Sequence, residues 1–248
     1  MLNNSFYKTK DVQHNNQLHY NVINDIKKKL MKKKNVAIIG ATGLIGNQLL
    51  NLLLKDTYFA DIYVITRRDL VFDDERVKNI VIDFSDDLSF KNALSACDVV
   101  FCSVGTTQKQ VNGDKVAYRK IDVDIPEKAA QFCEENGGTT FLLVSSVGAD
   151  SKSGNFYLAL KGEVEDYVVK RNIPSITIFR PSLLLGNRKE FRIGEIISTL
   201  FMKPLAFLVP SIFKPIEAEQ VAKSIYHAAI SNRPGVHIYH FAEMNTAF

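Results

Sequence analysis

The sequence predicts an α/β fold of the Rossmann type, in which a doubly wound parallel sheet carries helices on both faces. Three observations predict it. Apolar runs alternate with helical patterns from residue 35 onward, the runs are apolar at almost every position, and a glycine turn follows the first of them. Strands that are apolar throughout are typical of parallel sheets covered on both sides. The length of 248 residues fits one such domain.

Seven apolar runs are predicted as strands and four patterned segments as helices. The predicted strands span 35–40, 61–68, 79–84, 97–105, 139–146, 175–181 and 235–241. The predicted helices span 43–56, 118–135, 157–171 and 216–229. Because strands and helices alternate along most of the chain, these segments build βαβ units and a parallel sheet.

The positive charge is concentrated at the start of the chain. Residues 1–34 carry eight lysines and two aspartates, whereas the whole chain has a net charge of only +4. A lysine-rich block can bind nucleic acid or anionic lipid, but it is more often a solvated tail, and we expect no nucleic-acid partner. The sequence therefore predicts a flexible basic extension at 1–34 and a single nucleotide-binding domain at 35–248.

The composition argues against a membrane-spanning, secreted or metal-binding protein. The sequence has no run of 18 apolar residues, so we expect no transmembrane segment. The first residues lack the apolar core of a secretory signal and the arginines of a mitochondrial one. Cys97, Cys102 and Cys133 have no zinc-type spacing. We therefore expect reduced thiols, no metal and a cytoplasmic location.

The most specific functional pattern is GATGLIG at 40–46, which follows the first predicted strand and opens the first predicted helix. Such a turn lets backbone N–H groups approach a pyrophosphate at a helix N-terminus, where the helix dipole favours anions. In this strand–turn–helix context, a purely structural glycine turn is the weaker alternative. The segment is therefore predicted to bind a dinucleotide through Gly40, Ala41, Thr42, Gly43, Leu44, Ile45 and Gly46.

The end of the second strand indicates which dinucleotide is preferred. NAD-binding units place an acidic residue there to bind the ribose 2′-hydroxyl, whereas this chain has Thr66, Arg67 and Arg68. Two guanidinium groups can pair with a 2′-phosphate and stack on adenine. The sequence therefore predicts NADP(H) rather than NAD(H), with two simply solvated arginines as the alternative.

Two further strand ends are predicted to border the cofactor. Asp83 and Phe84 end the third strand, where Asp83 could accept a hydrogen bond from the adenine amino group or cap a turn instead. Val104 and Gly105 end the fourth strand, and Gly105 would let the backbone pass close to the cofactor. All four are therefore candidate cofactor-binding residues.

The candidate catalytic residues lie at the end of the fifth strand and on the helix that follows. Ser145 and Ser146 end the strand, Tyr157 follows Ser146 by eleven residues, and Lys161 lies one turn further on the same helix face. A carbonyl reduction needs a proton donor, and a cation beside a tyrosine favours the phenolate, which eases proton exchange near neutrality. We predict Tyr157 as the acid/base, Lys161 as its modulator and a ligand of the nicotinamide ribose, and Ser146 as the carbonyl anchor, with Ser145 as the alternative. The spacing alone is weak, because an ordinary half-buried tyrosine and a solvated lysine also occur four residues apart.

Three segments carry a family resemblance: SVGTTQ at 103–108, LLVSSVGADSKSGNFYLALKGEVE at 142–165 and FRPSLLLGNRKEFR at 179–192. From about residue 35 to 230 the chain resembles the atypical short-chain dehydrogenases/reductases of the oxidoreductase Tat-interactive protein family and its bacterial relatives. The resemblance implies NADPH as the cofactor and Tyr157 as the active-site residue. It also implies cofactor contacts from Ala41, Thr42, Gly43, Leu44, Arg67, Arg68, Val104, Gly105, Tyr157, Lys161, Leu184 and Arg192.

The chain departs from this resemblance at two points. The first turn, from Thr42 to Ile45, is closer to generic members of the superfamily. No asparagine completes the proton relay known from the shorter members of the superfamily, and Asp122 and Asp124 occupy the region where it would be expected. The route by which the proton is replenished is therefore open.

The end of the sixth strand is predicted to border the nicotinamide. Pro181 fixes the chain there, Leu184 follows, and Arg192 could bind an anionic substrate or the cofactor phosphates, or lie on the surface. The strongly apolar segment 194–213 is interpreted as core packing or a lid over an apolar substrate, with a homodimer face or a membrane-contacting patch as alternatives. We therefore place substrate or lid elements at about 186–215.

The predicted function is that of an NADPH-dependent oxidoreductase acting on a small carbonyl or alcohol. The substrate region is short, which argues against a large nucleotide-sugar substrate. One alternative is a redox sensor or regulatory scaffold that binds NADP(H) with little turnover. Another is an NAD-dependent epimerase or dehydratase, although such enzymes normally have an acidic second strand end and a larger substrate domain.

Overall fold

The computed structural model describes residues 33–186 and 211–246. The predicted extension at 1–34, the predicted substrate or lid segment at about 186–215 and Arg192 therefore lie wholly or mostly outside the described residues. All structural statements below refer to the two described ranges.

The described chain forms one large parallel sheet and one small one. The strands are β1 (Val36–Ile39), β2 (Ile62–Thr66), β3 (Val77–Val81), β4 (Val99–Cys102), β5 (Thr140–Val144), β6 (Ser175–Phe179), β7 (Leu184–Leu185), β8 (Ile216–Glu217) and β9 (Gly235–Tyr239). The large sheet has the order β3-β2-β1-β4-β5-β6-β9, and β7 pairs with β8. Every neighbouring pair is parallel. The strand order reverses between β1 and β4, and ligands of such sheets bind outside the carboxyl ends at this point.

Helices cover both faces of the large sheet. They are α1 (Leu44–Lys55), α2 (Asp87–Ala93), α3 (Lys115–Arg119), α4 (Ile125–Glu135), α5 (Phe156–Val168), α6 (Ala218–Ser231) and α7 (Phe241–Thr246). A π-helical turn, Lys120–Asp124, joins α3 to α4. Single π turns inside helices are frequent at functional sites, so this turn is a candidate part of the functional site.

The doubly wound arrangement follows from the alternation of side chains along each buried strand. On β1, Ala37 and Ile39 pack into a core layer with α2, α4 and α5, whereas Val36 and Ile38 pack into a second layer with α1 and α6. Successive strand residues point to opposite faces, and all four of these side chains are fully buried. A strand buried on both sides must be apolar at every position, which is the pattern that predicts the fold.

The structure confirms the predicted fold class and the seven strands of the large sheet. The helix predicted at 118–135 begins earlier, at Lys115, because the Asp114 carboxylate accepts hydrogen bonds from the amides of Val116 and Ala117. Two short helices, α2 and α7, are absent from the prediction. Helix α2 has only seven residues, which is too short for a helical period to stand out.

None of the helices in the two described ranges combines the length and the apolar character needed to cross a membrane. The same ranges contain no group of three or more His, Cys, Asp or Glu side chains that could hold a metal ion.

Candidate active site

A cavity of about 530 Å³ opens at the carboxyl ends of the central strands. The glycine turn after β1, the ends of β2, β4, β5 and β6, and helix α5 contribute to its walls. Sixteen of the predicted site residues line it: Gly40, Ala41, Thr42, Gly43, Leu44, Ile45, Arg67, Arg68, Phe84, Val104, Gly105, Ser146, Tyr157, Lys161, Pro181 and Leu184. The fold therefore brings the predicted cofactor and catalytic residues to one place.

Two described residues of the prediction, Gly46 and Asp83, do not line the cavity. Asp83 is exposed, and its carboxylate accepts a 2.9 Å hydrogen bond from the Ser85 amide. This backbone hydrogen bond lowers the pKa of the Asp83 carboxyl. This hydrogen bond is the turn cap that the sequence offered as the alternative, and the adenine contact of Asp83 stays a prediction.

The glycine turn is shaped by contacts that leave no room for side chains. Gly40 has a φ of +92°, and a Cβ there would lie 2.8 Å from the carbonyl carbon of Ser103. A Cβ on Gly46 would lie only 2.1 Å from the Gly40 carbonyl oxygen. Gly40 therefore permits the turn itself, while Gly46 allows α1 to pack closely against it. Gly46 thus has a packing role in the described chain, and its cofactor contact stays a prediction.

The N-terminus of α1 has no side-chain cap. Gly43 occupies the cap position and the first turn has no acidic residue, whereas Asp86, Asp114 and Asn155 cap α2, α3 and α5 through their side chains. The first amides of a helix have no partner within it, so the N-terminus of α1 offers N–H donors and a positive dipole end at the cavity. These residues fit the pyrophosphate of a dinucleotide.

Arg67 and Arg68 lie at the cavity edge on an ordered strand end. The Thr66 hydroxyl donates a hydrogen bond to the Arg68 carbonyl, and Asn79 on β3 donates to the Asp69 carboxylate at 2.9 Å. Both arginines are exposed, and neither forms a salt bridge with another described residue. Their guanidinium groups are therefore free to pair with an anionic group at this edge.

The loop after β4 is held against the π turn by a buried carboxylate. The amide of Thr106 donates a 2.6 Å hydrogen bond to Oδ2 of Asp122. The Thr106 carbonyl accepts a hydrogen bond from the Tyr118 hydroxyl at 3.2 Å, and the Thr106 hydroxyl donates to Gln110 at 3.0 Å. Thr106 and Gln110 also line the cavity. The π turn thus fixes one wall of the site.

Lys161 is buried beside the same carboxylate. Its side chain is 7% exposed, and its Nζ lies 3.1 Å from Oδ1 of Asp122, which is itself 1% exposed. Oδ1 accepts no well-aligned hydrogen bond from the described residues, so the two groups are paired by charge. A lysine so placed is not the solvated lysine of the alternative interpretation, because a buried ammonium needs a compensating group.

Tyr157 and Ser146 present hydroxyl groups to the cavity. Tyr157 is half-buried, and the Lys161 ammonium lies 5.9 Å from the centroid of its ring. No hydrogen bond from the Tyr157 hydroxyl to another described residue is present. The Ser146 hydroxyl is directed at the carbonyl of Val147 at 3.3 Å, near the upper limit for such a bond. Both hydroxyls are thus available to a ligand.

Ser145, the alternative carbonyl anchor, is engaged elsewhere. Its hydroxyl donates a hydrogen bond to the buried carboxylate of Glu165. The Nε of Arg180 donates to both oxygens of the same carboxylate, at 3.0 and 3.1 Å. Glu165 therefore joins the end of β5 to the end of β6, and Ser145 serves this connection.

Helix α5 carries one glycine for close packing. A Cβ on Gly162 would lie 2.1 Å from the backbone nitrogen of Ser151 and 2.2 Å from the carbonyl carbon of Asp150. The loop between β5 and α5 therefore rests on the helix directly beside Lys161. The contact fixes the distance between the strand end that carries Ser146 and the helix that carries Tyr157.

Three functional or supporting residues are absent from the predicted site, namely Asp122 as the partner of Lys161, Glu165 and Gly162. The segment KGEVE at 161–165 contains a signal for Gly162 and Glu165. Glycine within a helix costs about 1 kcal/mol relative to alanine, so Gly162 indicates that another segment approaches the helix closely. Glu165 also continues the spacing of four from Tyr157 and Lys161. The pairing of Asp122 has no sequence signal, because it depends on the π turn.

Comparison with known proteins places this site in a family. Residues 40–196 match the family described as NAD(P)H-binding. The chain is 36% identical to Protein HTATIP2 of Rattus norvegicus over 178 residues, which covers 71% of this chain and 73% of that protein. It is 33% identical to Protein FMP52, mitochondrial, of Candida albicans over 192 residues, covering 75% and 83% of the two chains.

Solved structures share the fold at low sequence identity. A UDP-N-acetylglucosamine 4-epimerase from Methanobrevibacter ruminantium has a TM-score of 0.62 with 19% identity, and covers 85% of this chain and 77% of that one. The Bordetella bronchiseptica enzyme WbmH, in complex with NAD+, has a TM-score of 0.65 with 14% identity, covering 84% and 75%. At such identities the likeness confirms the Rossmann-type fold.

The relatives correct the predicted cytoplasmic location. Four FMP52 relatives, at 32–34% identity, are named as mitochondrial proteins, and this finding overturns the prediction. The absence of arginines from the first residues was a poor guide.

The family match and the cavity together support a nicotinamide cofactor and an oxidoreductase-type protein. The predicted resemblance is confirmed by these relatives, and the residues that match the family, 40–196, include the glycine turn, the two arginines and the Tyr157–Lys161 helix. The chain belongs to the NAD(P)H-binding family, as an HTATIP2-like member of the atypical short-chain dehydrogenases/reductases.

Proposed function

We propose that this protein is an NADPH-dependent oxidoreductase that acts on a small carbonyl or alcohol through Ser146, Tyr157 and Lys161. The observation that carries the proposal is the burial of Lys161, which is 6% exposed and lies one turn from Tyr157 in the wall of a cavity that also contains the glycine turn. Burying an ammonium group is costly unless a partner compensates it, so its burial at the cavity wall supports a functional role. A solvated surface lysine would need no such partner.

The residues of the cavity fit NADPH. The glycine turn and the uncapped N-terminus of α1 would hold the pyrophosphate, Arg67 and Arg68 would pair with the 2′-phosphate, and Val104 and Gly105 would border the middle of the dinucleotide. NADPH supplies the hydride that a carbonyl reduction requires. An NAD-binding site of this type has an acidic residue at the end of the second strand, and the two arginines at that place support NADP(H).

The catalytic roles follow from the chemistry of the three side chains. Reduction of a carbonyl adds a hydride to carbon and a proton to oxygen, so a donor must stand beside the carbonyl oxygen. Tyr157 donates this proton, and the nearby ammonium of Lys161 stabilises the phenolate that remains. Ser146 donates a hydrogen bond to the same oxygen and fixes its position. The reverse reaction uses the same groups with Tyr157 as the base.

We also propose that residues 1–34 form an extension outside the catalytic domain at 35–248. The family match begins at residue 40, which supports this division. The small β7–β8 ladder joins residues 184–185 to 216–217 beside the cavity, which supports a substrate role for the segment that connects them.

Tyr157→Phe tests the proposed function. The variant should lose turnover of NADPH with small aldehydes and ketones by at least about 10²-fold, while its affinity for NADPH, measured by calorimetry, stays near that of the wild type. Tyr167→Phe is the matched control, because Tyr167 lies on the same helix but bonds to Gln131 at 3.3 Å. Full activity in Tyr157→Phe, or tight NADPH binding by a wild type that reduces no carbonyl, would overturn the proposal in favour of a cofactor sensor.

A further inference from the structure

The carboxylate of Asp122 has two partners on two different walls of the cavity. Oδ2 accepts the 2.6 Å hydrogen bond from the Thr106 amide, and Oδ1 lies 3.1 Å from the Lys161 ammonium. The side chains of Asp122 and Lys161 are 1% and 7% exposed. A buried carboxylate of this kind is costly unless both oxygens are compensated, so its position is set by both contacts together.

We propose that Asp122 is a positioning residue that holds Lys161 with one oxygen and the cofactor-bordering loop after β4 with the other. One rigid carboxylate then fixes the distance between the proton-donating helix and the loop that carries Val104, Gly105 and Thr106. For its catalytic part, this inference rests on the proposed function.

The charge of Asp122 matters as much as its hydrogen bond. Lys161 has a long, flexible side chain, and an ammonium without a counter-charge in a buried place tends to lose its proton or to swing towards solvent. The carboxylate at 3.1 Å favours the ammonium and fixes its direction.

The loop contact has its own support. Thr106 is buried, and its carbonyl and hydroxyl are bonded to Tyr118 and Gln110 in addition to the amide bond with Asp122. Every polar group of Thr106 is thus engaged. Because Thr106 follows Val104 and Gly105 directly, loss of the Asp122 acceptor would release the loop from one of its three anchors.

The titratable groups around Lys161 come from several elements. Tyr157 lies on its own helix, Asp122 on the π turn and Cys102 on β4, where burial raises the pKa of the thiol to about 12. Glu165, one turn beyond Lys161, is already paired with Arg180. Near neutral pH the thiol is therefore protonated, and Asp122 is the carboxylate in contact with the lysine.

A double-mutant cycle tests the charge contact without turnover. Asp122→Asn keeps the shape and one acceptor oxygen but removes the charge, and it should lower the melting temperature by roughly 6 °C or more. Lys161→Met should also destabilise, and the combined variant should lose clearly less than the sum of the two single losses. Additive losses would overturn the charge contact. If Asp122→Asn folds only together with Lys161→Met, the coupling is demonstrated.

Hydrogen exchange of the loop tests the second contact. In Asp122→Asn the amide oxygen can still accept from Thr106, so amides 104–106 should keep their protection, whereas Asp122→Ala should raise their exchange rate by about tenfold or more. Asp124→Asn is the matched control, because it removes the same charge from the same turn and leaves Asp122 in place. Equal exchange in the alanine variant and the wild type would overturn the loop contact.

The pH profile of carbonyl reduction distinguishes a role of Asp122 in positioning Lys161 from a role in the stability of the fold alone. In Asp122→Asn the buried Lys161 ammonium loses the counter-charge of Asp122, which favours its neutral form, so active enzyme is lost earlier as pH rises. The alkaline limb of kcat/KM should therefore move to lower pH by roughly one unit or more, while Asp124→Asn leaves it in place. An unmoved limb overturns the catalytic part. If the wild type has no carbonyl reductase activity, the proposed function is refuted instead. The double-mutant cycle and the hydrogen exchange, which need no turnover, then still test the two contacts of Asp122.

Discussion

The Ser145 hydroxyl donates a hydrogen bond to the buried carboxylate of Glu165, which also holds the guanidinium of Arg180. The hydroxyl groups of two adjacent serines at the end of one strand therefore have different hydrogen-bond partners. Both serines line the cavity, but the Ser145 hydroxyl is committed to Glu165, whereas the Ser146 hydroxyl has only a 3.3 Å contact with the Val147 carbonyl among the described residues. The relationship supports the proposal of Ser146, rather than Ser145, as the carbonyl anchor.

Exchanging each serine for alanine should separate the role of the carbonyl anchor from the contact with Glu165. Ser146→Ala should lower kcat for carbonyl reduction by about 10²-fold, because it removes a donor to the carbonyl oxygen, and should change the free energy of unfolding by less than about 0.5 kcal/mol. Ser145→Ala should cost about 1–2 kcal/mol of stability and leave kcat within a few-fold. Steady-state kinetics and urea unfolding measure both, and the opposite pattern would assign the anchor to Ser145.

Neutralising Glu165 should destabilise the fold far more than neutralising its neighbour Glu163. The Glu165 side chain is 5% exposed and Arg180 is 22% exposed, so Glu165→Gln leaves a largely buried guanidinium without its charge partner, at a cost of about 3 kcal/mol or more. Glu163 pairs with Arg119 at the surface, where both side chains are more than 40% exposed, and Glu163→Gln should cost only about 0–1 kcal/mol. Equal losses in urea unfolding would show that the Glu165 pair is a surface-like contact.

Arg67 and Arg68 should determine the preference for NADPH over NADH. A ligand that binds only the folded state raises the melting temperature according to its affinity, so NADPH should raise it more than NADH. Arg67→Ala combined with Arg68→Ala should abolish this difference and leave NADH binding largely intact. The single variants can be compared with Arg233→Ala, which removes an exposed charge elsewhere. Equal shifts by both cofactors in the wild type would refute the role of the two arginines.

The three cysteines should be unreactive in the folded protein and should affect its stability only at high pH. Burial raises the pKa of the Cys97, Cys102 and Cys133 thiols from 9.0 to about 12. Near pH 8 the folded chain therefore holds roughly a thousandfold less thiolate than the unfolded chain, and a thiol reagent should react mainly after unfolding.

The sign of the pH effect follows from the same shift. Below the unfolded pKa of about 9 both states are protonated, so the thiols do not change stability there. Above it the unfolded chain releases protons that the folded chain retains, and stability falls as pH rises towards about 12. Cys97→Ala, Cys102→Ala and Cys133→Ala together should weaken this decline. An unchanged slope of unfolding free energy against pH would contradict the effect.

The sequence by itself determined the sheet, the cofactor class and most of the cavity wall. Strands such as β1 are apolar at every position because both faces are buried, and the glycine turn is specific because backbone must approach a pyrophosphate where no Cβ fits. Such local constraints leave their mark in consecutive residues. For this reason Gly40, Gly43, Arg67, Tyr157 and their neighbours could be named before the fold was known.

Only the tertiary structure decided which polar groups meet. Asp122 is linked to Lys161 across 39 positions of the chain, and Ser145 to Glu165 across 20, and no spacing rule relates either pair. The structure also adds contacts at two residues named from the sequence: the Asp83 carboxylate accepts a hydrogen bond from the Ser85 amide, and Gly46 packs against Gly40. Backbone conformation follows from short stretches of sequence. The partner of a buried charge depends instead on how separate helices and strands pack. The free-energy cost of burying a charge is offset only by a polar or charged group that the fold brings into contact with it.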